Sequence, residues 1–244
     1  INSITPASAA PGATVTITGT NLTGVSVLKF GGNSAAFFTI DSPTQITATV
    51  PNDAAPGVLT VSKAGCPNAQ STSFTPCGNT LTLQVDDGSG EAAVPAGTGL
   101  TYYVNRLTPV SYPATLNSIQ LKFDQFLNIP AGTALTLVAG NNAAGGTNIN
   151  NTTFQTTDVT AGTVGQFNTY NLAQPLTINA GDFVLGFRMT LNGTQFPGSL
   201  DTTAPHNARS YESQNGTTFT LVQDNNANNA DLLIRGLYTV TCQQ

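Results

Sequence analysis

The sequence predicts an all-β protein. Apolar runs are four to eight residues long, β-branched or aromatic, and bounded by Gly, Pro, Asn or Asp. Helical periodicity is absent throughout. Charged residues make up only 8% of the 244 residues, against about 25% in an ordinary soluble domain. Thr, Asn, Gly, Ala and Ser fill the surface instead, which argues against a cytosolic helical enzyme. The length suits two small domains or one large β-domain.

From the N-terminus, strands are expected near 2–5, 13–19, 25–30, 35–40, 45–50, 57–63 and 70–75. The second alternates cleanly if Ala13, Val15 and Ile17 face inward while Thr14, Thr16 and Thr18 face outward. Seven short strands at this spacing fit an immunoglobulin-like sandwich. The turns between them come in a recognisable order: Pro11-Gly12, Gly19-Thr20-Asn21-Leu22, Phe30-Gly31-Gly32, Val50-Pro51 and Pro56-Gly57, after an opening Ile4-Thr5-Pro6-Ala7-Ser8. This ordered stretch, about a third of the chain, resembles an IPT/TIG immunoglobulin-like domain. The resemblance implies a module that presents, spaces or binds things outside the cell and rarely catalyses.

Thr75-Pro76-Cys77-Gly78-Asn79 is a short, stiff junction without a Gly/Ser run, and it sets the expected domains at 1–76 and 77–244. Beyond it, strands are expected near 80–86, 101–106, 115–123, 133–139, 152–159, 168–172, 183–191, 208–213, 217–222 and 231–241. The landmarks are Asp86-Asp87-Gly88-Ser89-Gly90-Glu91, Tyr112-Pro113-Ala114-Thr115-Leu116, the run from Pro175 to Phe187, Ala208-Arg209-Ser210-Tyr211 and Leu233-Ile234-Arg235-Gly236. Together they resemble a jelly-roll-like β-sandwich module appended to secreted bacterial proteins, which implies a fold and a location rather than an activity. The neutral stretches 139–148 and 225–229 read as exposed loops.

Three cysteines fit no zinc spacing. Cys77 precedes the first strand of the second domain and Cys242 closes the last, so antiparallel neighbours would join them. Cys66 is then left free or paired with another chain, although a Cys66–Cys77 loop stays open as an alternative. The Asp86–Glu91 segment packs hard oxygen ligands around glycines, so Asp86, Asp87 and Glu91, with Asp231 if the outer strands are neighbours, form a candidate calcium site. The bland reading is an Asp-Gly turn capped by its own carboxylates. No other cofactor is expected.

Catalysis finds little support. The single histidine, His206, lies in a loop-like tetrapeptide and no Gly-x-Ser-x-Gly elbow is present. No pair of carboxylates is marked for glycoside hydrolysis. Trp is absent, and Tyr102, Tyr103, Tyr112 and Tyr211 are expected in core or edge roles more than on a sugar platform. Arg209 and Arg235 are expected to pair with Asp182, Asp201 or Glu212 at a sheet rim. Sequons at Asn21, Asn150, Asn151, Asn192 and Asn215 bear on modification only in a host that uses them.

A net charge of −5 with seven scattered Lys and Arg gives no footprint for nucleic acid. No run of eighteen apolar residues spans a bilayer, and the start at Ile1 suggests a processed protein or a fragment. The sequence therefore predicts a non-catalytic, extracellular or cell-surface protein, favoured as a self-associating filament, sheath or lattice subunit. Copies of itself are the expected partners, with Ile1, Asn2, Ser3, Ile4 and Cys66 at the joint through an exposed terminal strand. The alternative is a carbohydrate- or cell-surface-binding module of a larger secreted protein.

Overall fold

A computed structural model describes residues 1–35, 37–224 and 228–242. The chain divides into two compact units, Ile1–Thr80 with Thr239–Gln244, and Leu81–Tyr238. No α-helix occurs among the described residues, and nothing helical is long and apolar enough to cross a membrane.

The first unit holds β1 (Ser3–Thr5), β2 (Ser8–Ala9), β3 (Thr14–Thr18), β4 (Val25–Phe30), β5 (Asn33–Ser34), β6 (Phe37–Ser42), β7 (Gln45–Thr49), β8 (Gly57–Lys63) and β9 (Ala69–Pro76). They form two sheets, in the orders β1-β3-β7-β6 and β2-β9-β8-β4-β5. Among the described residues of this unit, only β2 and β9 pair in parallel. The alternation expected in β3 is present: Val15 and Ile17 are fully buried, and Ile46, Leu28, Phe30 and Phe74 complete the sandwich core. Phe30 and Phe74 meet edge to face at 5.0 Å. Gly31 explains the Phe-Gly-Gly turn, since its φ is +57° and a Cβ there would lie 2.2 Å from the Ala55 carbonyl.

The terminal strand, expected as an exposed assembly joint, is an edge strand paired within its own sheet. Its three residues pair with β3 of their own sheet, Ser3 opposite Thr18 and Ile4 opposite Ile17. Ile4 is buried in the unit's core, Ile1 packs against that core, and the Asn2 amide donates to the Thr18 carbonyl at 2.8 Å. The physical reason is plain: an apolar Ile at period two finds its partner face within the domain. Cys66 is exposed and free, and a disulfide joins Cys77 to Cys242, closing a separation of 165 residues.

The second unit holds β10 (Thr80–Leu83), β11 (Ala92–Ala93), β12 (Thr98–Leu107), β13 (Ala114–Lys122), β14 (Ala134–Asn142), β15 (Phe154–Thr160), β16 (Phe167–Ile178), β17 (Asp182–Asn192), β18 (Ser199–Asp201), β19 (Ser210–Ser213), β20 (Thr220–Leu221), β21 (Asp231–Leu232) and β22 (Ile234–Val240). Three sheets result: β15-β14-β17-β12-β19-β20, β10-β22-β13-β16 and the small β11-β18-β21. This is the larger antiparallel, jelly-roll-like sandwich. Its core packs Phe187 against Phe123 at 5.3 Å and Phe183 against Tyr238 at 6.3 Å. Asn105, fully buried, donates to the carbonyls of Leu232 and Ile234 at 2.9 and 2.8 Å and accepts from the Ser210 hydroxyl at 2.6 Å. One amide thus ties the six-stranded sheet to the strands that end the chain.

Three expectations differ here. The run 231–241 splits at Leu233 into β21 and β22, which belong to different sheets. β16 runs straight through Pro175, because it is an edge strand and its register with β13 shifts between Leu116 and Ser118, where no ladder bond is needed. Of the loop expected at 139–148, the first four residues are the end of β14, and only 143–148 form the connection. For the second polar loop, residues 225–227 lie outside the described residues.

Candidate functional site

The outer face of the six-stranded sheet is covered at one end and open at the other. Under the cover, Val104, Val138, Val184, Tyr211, Phe219 and Ile149 form a satellite apolar cluster. The loops before β15 and before β20 close over it: Asn150 accepts from the Phe219 amide at 2.8 Å, and the Tyr211 hydroxyl donates to the Thr147 carbonyl at 3.1 Å. Amide-rich loops that looked unable to serve a core therefore lid one, using their side chains to satisfy each other's backbone.

At the open end, strand register builds a row of side chains on one face. Asp158 of β15 stands opposite Thr136 of β14, Thr136 opposite Arg188 of β17, and Arg188 opposite Tyr102 of β12. Residues directly opposite share a face and lie about 4.5–5.5 Å apart at Cβ. The Thr136 hydroxyl donates to Asp158 Oδ1 at 2.8 Å, and Arg188 donates to the Tyr102 hydroxyl at 3.0 Å with its guanidinium 5.7 Å from the ring centre. Tyr102 in turn touches the rings of Phe154 and Phe219 at 6.3 and 6.4 Å. The open end is a shallow groove of about 760 Å³ whose lining includes Leu100, Thr133, Leu135, Met189 and Thr190. No carboxylate lies within ion-pair reach of Arg188 among the described residues, so most of its five donors remain unspent.

A second cleft, about 460 Å³, opens beside Tyr103 and Glu212. Burial pushes both the Tyr103 hydroxyl and the Glu212 carboxyl upward. Its polar groups are mostly committed: Asn215 Oδ1 accepts from Ser213 and from the amides of Thr217 and Thr218. Each of the two concavities is lined by a single carboxylate, Asp158 in one and Glu212 in the other. Glycoside hydrolysis needs two that face each other.

The Asp86–Glu91 segment does not gather as expected. Asp86 is buried and taken by Arg235, 2.5 Å away, whose guanidinium also stacks on Phe167 at 3.8 Å. That pairing removes Asp86 from the candidate metal set. Asp87 and Glu91 instead stand with Asp201, one oxygen of each within 4.8 Å of the others. Asp231 stands outside that group, directly opposite Asp201 in the β18–β21 pair. Hydrogen bonds from the Ser89 hydroxyl and amide hold Asp87 below the usual carboxylate range, while burial pushes Asp231 above it. Among the described residues Arg209 reaches no acid; it donates to Thr108 at 2.9 Å, and it is Arg106 that pairs with Asp182, at 2.8 Å. His206 sits in the loop after β18 with its Nδ1 buried and unpartnered.

Comparison with known proteins identifies the first unit. Residues 1–102 match the IPT/TIG domain family, so the chain carries an N-terminal IPT/TIG domain; the match runs beyond the Thr80 boundary of the first unit. No curated protein matches the sequence. Two solved structures share a remote likeness. One is the SGBP-B of a Bacteroides ovatus mixed-linkage glucan utilization locus, in complex with a mixed-linkage heptasaccharide. It is 15% identical over 77% of this chain and 51% of that one, with a TM-score of 0.26. The other is an SGBP-B from a complex xyloglucan utilization locus in Bacteroides uniformis, 14% identical over 98% and 72%, with a TM-score of 0.27. The chain spans about half the length of the first.

Proposed function

We propose that the chain is a non-catalytic, cell-surface carbohydrate-binding protein whose second domain holds glycan in the open groove of its six-stranded sheet. The observation that carries this reading is the row Asp158, Thr136, Arg188 and Tyr102. A glycan presents vicinal hydroxyls beside weakly apolar C–H faces. The row offers a carboxylate acceptor, the unspent donors of a guanidinium fork and a hydroxyl for the former, with Leu100 in the groove lining for the latter. The shallow, open shape suits a chain passing across the groove more than a small molecule sealed from water. An extracellular setting accords with the Cys77–Cys242 bridge.

The filament reading has less behind it. The strand that would be exchanged, β1, is committed to its own sheet through Ile4. The test is retention of the full chain in native gels cast with soluble polysaccharides, comparing wild type with Arg188→Ala and Tyr102→Ala. Retention on at least one β-glucan or other plant or microbial polysaccharide, weakened by about tenfold or more in Arg188→Ala, is expected, since removing a charged hydrogen-bonding partner costs about 1.5–3 kcal/mol. Folded wild-type protein that is retained by none of the polysaccharides, or Arg188→Ala retained like wild type, would overturn the assignment.

A further inference from the structure

Four carboxylates are buried: Asp86, Asp182, Asp201 and Asp231. Two of them have an arginine each, Arg235 on Asp86 and Arg106 on Asp182. Asp201 and Asp231 have no cationic side chain within 4.0 Å among the described residues, although they are 3% and 1% exposed. They are also directly opposite each other in the β18–β21 pair, so both carboxylates leave the small sheet on the same side. Burying one unpaired carboxylate is costly, and two neighbours of like charge compound the cost.

Backbone amides offset part of it. Asp201 accepts from the amides of Asp87 at 2.7 Å and Thr203 at 2.8 Å, Glu91 from Thr202 at 2.9 Å, and Asp87 from Ser89 at 2.9 Å. Asn207 serves Asp231 Oδ2. What remains is Asp231 Oδ1, an acceptor closed off from solvent and without a partner, on the side of the sheet where Asp201 stands. An orphaned buried acceptor of that kind calls for a partner, and a bound cation is one that also offsets the charge.

We infer that Asp87, Glu91 and Asp201, with Asp231 opposite Asp201 in the neighbouring strand, bind a hard divalent cation of the calcium class. Calcium takes oxygen ligands at about 2.3–2.6 Å, so ligands on opposite sides of one ion lie up to about 5 Å apart. The spacing within 4.8 Å of Asp87, Glu91 and Asp201 fits that reach. Magnesium, with bonds of about 2.0–2.1 Å, needs a tighter set. No Cys or His belongs to the group, which disfavours zinc. Lys122 and Arg235 are occupied, Lys122 by the Gly88 carbonyl at 3.0 Å and Asp124 at 3.4 Å and Arg235 by Asp86, which leaves His206 as the basic side chain near Asp231. A bound ion would pin the Asp87–Glu91 loop to β18 and β21.

The experiment is calorimetric and terbium-luminescence titration of the chelator-treated full chain with Ca²⁺, alongside its thermal midpoint. One equivalent should bind, with a dissociation constant on the order of 10⁻³ M or tighter, as in extracellular sites. The midpoint should rise with Ca²⁺. Glu91→Gln and Asp201→Asn should each weaken binding at least tenfold. Asp87→Asn, at an exposed position, makes the same test without touching the buried residues, and Asp53→Asn in the first domain should bind like wild type. A flat isotherm and an unmoved midpoint up to about ten times that constant, or variants at 87, 91 and 201 that all bind like wild type, would refute the site.

Discussion

Replacing Asn105 by Ala should destabilise the second domain more than any surface change. Asn105 is fully buried and its side chain makes three hydrogen bonds, two to the carbonyls of Leu232 and Ile234 and one from the Ser210 hydroxyl. Ser210 in turn accepts from the Leu232 amide at 2.8 Å, so the network is closed. Truncation strands up to three buried polar groups at about 1–3 kcal/mol each, and some sharing with ladder partners brings the expected loss to about 3–5 kcal/mol. Because Leu232 belongs to the strand that carries Asp231, the same change loosens the proposed cation site. Urea unfolding followed by near-ultraviolet circular dichroism reports the second domain through Tyr103, Tyr211 and Tyr238, which are all buried there. A transition for Asn105→Ala within about 1 kcal/mol of wild type would show that the amide does not clamp the two sheets, since surface-like effects are of that size.

Other outcomes follow from the same contacts. Cys77→Ser with Cys242→Ser opens a loop closed over 165 residues, and should cost about 5 kcal/mol by loop entropy, read as a lower midpoint in denaturant. Burial raises the folded-state pKa of Asp231 and of Glu212, so between the unfolded and folded values the native state binds more protons than the unfolded one. Stability of the cation-free protein should therefore be greatest below about pH 4 from these two groups and fall as pH rises past the ordinary carboxylate range. Asp231→Asn should flatten that fall in chelator, and a slope no different from wild type in pH-dependent thermal scans would contradict it.

Much of the fold was legible because it rests on local rules. Val15 and Ile17 announce an inward face by period two, and Phe30-Gly31-Gly32 announces a turn that only a residue tolerant of positive φ can make. The Cys77–Cys242 bridge followed from placing each residue at the end of a strand. The site was less legible, because it depends on which strands become neighbours. Asp87 and Glu91 were visible as an acidic, glycine-spaced segment, but Asp201 lies more than a hundred residues on and joins them only because β18 pairs with both β11 and β21. Asp86, adjacent in sequence, leaves the set because β22 brings Arg235 to it. The groove row is harder still: Asp158, Thr136, Arg188 and Tyr102 sit in four strands, and nothing short of the register places them together.

The scarcity of charge takes on a different meaning once its location is known. In the sequence it argued against a cytosolic helical enzyme. In the fold, the ion pairs of Arg106, Lys122 and Arg235 have side chains at most 16% exposed. Exposed pairs contribute little, whereas a buried charge left without its partner costs several kcal/mol. The chain thus keeps its outside wet with hydroxyls and amides, and places many of its few charges where geometry holds them. Arg188 is an exception on the cationic side, half-buried on an open sheet face with a tyrosine hydroxyl for a partner and no acid. A fixed guanidinium kept without an acid beside a groove is an arrangement that folding alone does not require, and the proposed polyhydroxylated ligand would supply the acceptors it lacks.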